Sequence, residues 1–115
     1  MDIDVAWHPW RTLRNQHHDV DVVCRYRLPD HLMGLQRGQR IWLCRTLTQA
    51  ERRCTLTHEL VHRERGPMPT DPAAVAREEQ IVDEISARRL ITVPALVDAL
   101  RWSRHPSEIA ERLWV

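Results

Sequence analysis

The chain has 115 residues, of which 43% are hydrophobic and 29% charged, and its formal net charge is +1. That length gives one domain with a single modest core, and the composition excludes a disordered chain. A charge so near zero gives no bulk electrostatic reason for nucleic acid to be the main partner.

In chain order, residues 5–18 read as a short helix, with Pro9 at its start and Trp10 and Leu13 on its apolar side. Residues 20–28 (VDVVCRYRL) are β-branched and partly alternating, and Pro29 stops them, so a strand is expected. Gly34 and Gly38 punctuate a turn, and Arg40–Cys44 (RIWLC) forms a second strand. The two strands are expected to pair as an antiparallel ribbon. From Thr48 the pattern turns helical: Thr48 with Glu51 forms a capping box, Leu56 and Leu60 supply an apolar face, and Gly66-Pro67-Met68-Pro69 ends the helix near Arg65. Asp71-Pro72 opens the next helix, which runs to about Ile91. A third is expected over Ala95–Trp102 after Pro94, and a last one over Ser107–Trp114. The fold class is therefore α+β and mostly helical, one domain throughout: an N-terminal helix and β-ribbon over 1–47, then helices over 48–65, 71–91 and 94–115.

Chemistry concentrates in His58-Glu59-Leu60-Val61-His62. Helical residues four apart share a face, so the two imidazoles point together and can hold one ion, which the pattern suggests is zinc. Glu59 falls beside the ion without ligating it, where it can act as general base toward a water. A chance HExxH on a solvated helix is the bland alternative. Against it stand the independent start and stop signals of the helix, the apolar pair Leu60-Val61 inside the motif, and a third ligand downstream.

Two histidines hold zinc poorly, and a catalytic site needs one more protein ligand. A histidine six residues after His62 would supply it in one class of metallopeptidase, but that position is Met68. The other source is a carboxylate of the following helix. Glu79 and Asp83 lie one turn apart, so Glu79 can ligate the ion while Asp83 accepts a hydrogen bond from His58 as outer support. Glu78 has Val82 at the equivalent place and is the fallback ligand. Taken alone, this acidic group would be read as a solvated helix start favoured by the helix dipole.

The segment Thr55–Pro94, with THELVH, EEQIVD and ARRLITVP, resembles the ImmA/IrrE family of metallopeptidases. The resemblance implies a thermolysin-like, zincin-like minimal domain with one zinc ion. It matches His58 and His62 to the zinc histidines, Glu59 to the general base, Glu79 to the glutamate ligand and Asp83 to its supporting acid. Val61 stands where the family has glycine, Ile85 replaces a phenylalanine, and the connection between the motif helices is short. Related enzymes stabilise the oxyanion with a histidine or tyrosine. Tyr26 and His31 are the candidates for that role, although surface or core roles account for each more simply.

What the resemblance implies is a zinc endopeptidase making a site-specific cut in a helix-turn-helix transcriptional repressor, in phage, mobile-element or stress regulation. The strand Arg40–Cys44 precedes the motif helix and is expected to be the edge along which the substrate lies. A non-catalytic zinc-binding module that engages a regulator is the alternative, and Glu59 argues against it, since a structural site has no need of that carboxylate. Cys24, Cys44 and Cys54 are odd in number and lack CxxC spacing, so they read as reduced thiols. The acidic start (MDID) is unlike a secretory signal, and no apolar run is long enough to cross a bilayer. A cytoplasmic protein is expected, with no membrane and no direct nucleic-acid partner.

Overall fold

A computed structural model describes residues 7–115. It is an α+β domain, mostly helical, in the order α1 (Pro9–Gln16), β1 (Asp21–Val23), β2 (Gly34–Arg37), β3 (Arg40–Leu43), α2 (Gln49–Arg65), α3 (Pro72–Leu90), α4 (Val93–Trp102) and α5 (Pro106–Leu113). The part of the expected N-terminal helix before Trp7 lies outside the described residues.

The sheet differs from the ribbon expected. It has three strands in the order β1-β3-β2, and the two segments legible as strands, β1 and β3, run parallel, with Val22 opposite Ile41. The antiparallel partner of β3 is β2, with Arg37 opposite Arg40 across the two-residue turn Gly38-Gln39. Gly38 takes φ +59°, the left-handed backbone that a tight hairpin turn asks of its first central residue. The two glycines therefore bracket a strand, not a turn. The predicted strand 20–28 shortens to Asp21–Val23 because the chain must then cross the end of β3 to reach β2. Two hydrogen bonds tie down the crossing: Arg45 N–H to the Tyr26 carbonyl at 2.9 Å, and Leu28 N–H to Cys44 Sγ at 3.4 Å.

The core forms where α2 lies on the sheet. Leu56 and Leu60, one turn apart, pack with Ile41, Leu43 and Val20. Four of these five are fully buried, and each such aliphatic side chain is worth about 1.5–3 kcal/mol of transfer free energy. The capping box is present at the start of α2: Thr48 Oγ1 accepts from Glu51 N–H while Glu51 accepts from Thr48 N–H. Asp71 caps α3 by accepting from Ala74 N–H, and Pro72 takes the first turn.

Trp7 fastens the N-terminal end to both long helices. Its indole N–H donates to Thr57 at 2.7 Å, and the Arg89 guanidinium lies 4.9 Å from its ring centroid while forking onto Glu64. Helices α4 and α5 form a hairpin joined by Asp98–Arg112. Arg53 of α2 reaches it, donating to the Trp114 carbonyl at 2.9 Å. Among the described residues, no helix is long and apolar enough to cross a membrane.

Candidate metal centre

Helix α2 has two working faces. Leu56 and Leu60 pack on the sheet, and His58 and His62, two positions on in each turn, meet Glu79 of α3. The imidazole centroids are 4.7 Å apart with the rings nearly perpendicular. Glu79 of α3 meets both: Oε1 is 3.2 Å from His62 Nε2, and Oε2 is 3.4 Å from His58 Nε2. One donor atom from each of the three residues lies within 4.8 Å of the other two.

The donor set can be tested against an ion. A catalytic zinc takes three nitrogen or oxygen ligands and keeps a fourth position open; donors at about 2.0–2.1 Å from a tetrahedral ion lie about 3.3 Å from one another. Taken as one donor, Glu79 Oε2 lies 3.3 Å from His62 Nε2 and 3.4 Å from His58 Nε2, which matches that spacing. Two imidazoles and one carboxylate fit zinc by donor type as well.

Glu59 stands next to this group and is buried, although it carries a carboxylate. Its Oε1 lies 3.7 Å from His58 Nδ1, and its Oε2 accepts from Gln36 Nε2 at 2.8 Å. The Glu59 carboxylate, followed by the charges of Glu79 and Asp83, holds the His58 imidazole above the usual histidine range, against the opposing pull of partial burial. A proton and a metal ion compete for that ring.

No protein-family model matches this chain, nor does any curated protein or solved structure with which it was compared. The assignment of chemistry therefore rests on the side chains themselves.

The other anticipated residues separate clearly. Asp83 Oδ1 lies 3.3 Å from His58 Nε2, the same nitrogen that faces Glu79. An acid supporting the ring from behind would meet Nδ1, and Asp83 stands instead on the side of the candidate ion. Glu78, the fallback ligand, is occupied: Arg65 Nη2 donates to its Oε1 at 3.0 Å, and that guanidinium holds the Glu78 carboxyl below its usual range. Glu78 is not brought into the group. Tyr26 is also absent from it, sitting half-exposed beside Arg40 and Trp42 with Arg25 over its ring. His31 is nearer, lining a depression of about 410 Å³ that reaches His58 and Glu59.

The group opens on a cleft of about 880 Å³ between β2 and α2, which Gly66–Met68 also line. The strand on its wall is β2; the segment Arg40–Cys44, expected to be the substrate edge, forms β3 over Arg40–Leu43, the central strand with both edges taken. Gln36 and Arg63 carried no signal in the sequence, and Gly34 was read there as part of a turn. Gln36 and Arg63 hold the hairpin to α2, and Gly34 lets it approach, since a Cβ there would come 2.6 Å from Thr55 Cγ2. Gln36 went unseen because it lies between two glycines in a segment too short to show alternation.

Proposed function

We propose that this chain is a zinc-dependent endopeptidase with His58, His62 and Glu79 as metal ligands and Glu59 as general base. The observation that carries the reading is the convergence of two imidazoles from one turn of α2 and a carboxylate from α3, at separations suited to one ion, beside a buried acid. Zinc, when bound, supplies Lewis-acid polarisation of a carbonyl and acidifies a water. The residues of the chain do the rest. Glu59 Oε1, the carboxylate oxygen not held by Gln36, takes a proton from the attacking water and returns it to the leaving amine. Among the described residues β2 is an edge strand, and its outer edge offers backbone hydrogen bonds to an extended segment laid along the cleft.

An open cleft bounded by a strand edge suits a peptide segment better than a small molecule. With the resemblance of THELVH and the acidic helix after it, this supports a helix-turn-helix repressor as the substrate, cut at one site to release phage, mobile-element or stress genes. Three free cysteines among the described residues support work in the reducing cytoplasm. The test mixes the purified protein, zinc and a repressor encoded beside it. The expected outcome is one defined pair of fragments, absent with Glu59→Gln. Zinc uptake without any cleavage, together with retained regulation by the Glu59→Gln variant, would replace this reading with a binding module.

A further inference from the structure

We infer that Gln36 is a positioning residue that fixes the Glu59 carboxylate in the orientation needed for its role as base; this rests on the metallopeptidase reading above. Gln36 Nε2 donates to Glu59 Oε2 and to the Glu59 main-chain carbonyl, both at 2.8 Å. A side-chain amide has two N–H donors on one nitrogen, so both are spent on a single residue. The opposite end is also held: Arg63 Nη1 donates to Gln36 Oε1 at 3.4 Å and to the Gly38 carbonyl at 2.8 Å. The amide can take only this orientation, because turning it over would set its oxygen against two acceptor oxygens of Glu59 and its NH₂ against a guanidinium.

The consequence falls on Glu59. Its carboxylate has two oxygens, and the amide takes one, leaving Oε1 without that donor and 3.7 Å from His58 Nδ1, while His58 Nε2 faces Glu79. A second anchor on the Glu59 backbone stops the side chain and the strand from drifting apart. A carboxylate left to rotate would spend part of its time with neither oxygen facing the ligands, and small misplacements of a reacting group cost rate steeply. The hydrogen bonds of the Gln36 side chain go to Glu59 and Arg63, so its amide bears on the ligand group through Glu59.

The test uses zinc and acetohydroxamate, a small chelator that gives its proton to an adjacent carboxylate, and so needs no knowledge of the substrate. Gln36→Met keeps the side-chain length and removes the amide. At unchanged zinc content it should weaken acetohydroxamate binding by about 10-fold, the scale of one hydrogen bond to a charged group. In a Glu59→Ala background the same substitution should change it by less than about 2-fold, since the two residues act as one unit. A role confined to fold stability would lower the melting temperature and leave both affinities alone. Equal acetohydroxamate binding by wild type and Gln36→Met, or an equal loss in both backgrounds, overturns the inference. The Gln36 side-chain amide protons, followed by NMR in metal-free protein, keep two failures apart. Their shift on Glu59→Ala shows the contact; with that shift present, a wild type that takes up no zinc overturns the metallopeptidase reading and the role of Gln36 with it. Absence of the shift overturns the Gln36 contact alone.

Discussion

His62 and Glu79 meet across the seam between α2 and α3, with Nε2 3.2 Å from Oε1, although 17 positions separate them in the chain. The contact joins the two helices at the candidate ion, so removing it should empty the site without unfolding the domain. Glu79 is nearly half exposed, and Glu79→Ala should stay folded. Its zinc affinity should fall by more than the roughly 10–100-fold that loss of an outer supporting contact costs. Glu78→Ala, one residue away, should retain zinc, because Glu78 is engaged with Arg65. Equilibrium dialysis with zinc on both variants reads the contrast. Equal zinc affinity in Glu79→Ala and wild type would remove Glu79 from the ligand set.

Glu59 carries a different prediction, because it is buried beside the ligands without facing both histidines. Glu59→Gln keeps the shape of the side chain and an oxygen for Gln36 to donate to, but cannot take a proton. Zinc content should match that of wild type, while cleavage should fall by about 10²–10⁴-fold, the usual contribution of a positioned base. Cleavage at the wild-type rate with full zinc would place the base elsewhere.

The local part of this site was legible in the sequence because it is helical. A spacing of four residues sets His58 and His62 on one face by geometry alone, and Thr48 with Glu51 marked the start of that helix. The reach of Glu79 to the same place followed from a short turn and a second capped helix. The sheet was less legible. Parallel pairing of β1 with β3 depends on where β2 lies, and β2 offers only Leu35, Gln36 and Arg37 between its first residue and the turn. Three residues cannot show a period of two, and two flanking glycines speak for a turn. Asp83 shows the remaining limit: helical spacing placed it near His58, but which ring nitrogen it meets depends on the rotation of α3 against α2.

Gly34 gives a direct test of how β2 approaches α2. A Cβ at that position would lie 2.6 Å from Thr55 Cγ2 and 3.2 Å from Glu59 Oε1, so one element must shift. Gly34→Ala should destabilise the domain by about 1–3 kcal/mol, as overpacking of a tight site does. Thr55→Ser removes the obstructing methyl, so the double variant should recover most of that loss, a non-additivity expected of residues in contact. Urea denaturation of the four proteins measures it. Simple addition of the two losses would mean that the strand does not meet the helix at Thr55.

Cys44 supplies the pH prediction. Its thiol is held down at about 7, first by the Thr46 hydroxyl, then by the Leu28 and Thr46 backbone groups, with the Arg27 charge adding to them and burial opposing. The hydroxyl lies 3.3 Å from Sγ and the Leu28 N–H 3.4 Å, so the charged sulfur is well supplied with donors. An acid whose folded value is depressed adds stability where the unfolded thiol is also ionised, and that contribution is lost as pH falls through the folded value. Stability should therefore rise with pH between about 7 and about 9, the range set by the folded value and that of a free thiol. Thr46→Val takes away the largest cause, so the thiolate absorbance midpoint should move upward and the rise in stability should flatten. Cys54, which burial pushes the other way, should ionise well above Cys44 in the same titration. A Cys44 midpoint that stays put in Thr46→Val would mean that the hydroxyl does not hold the sulfur, leaving that to the backbone groups of Leu28 and Thr46.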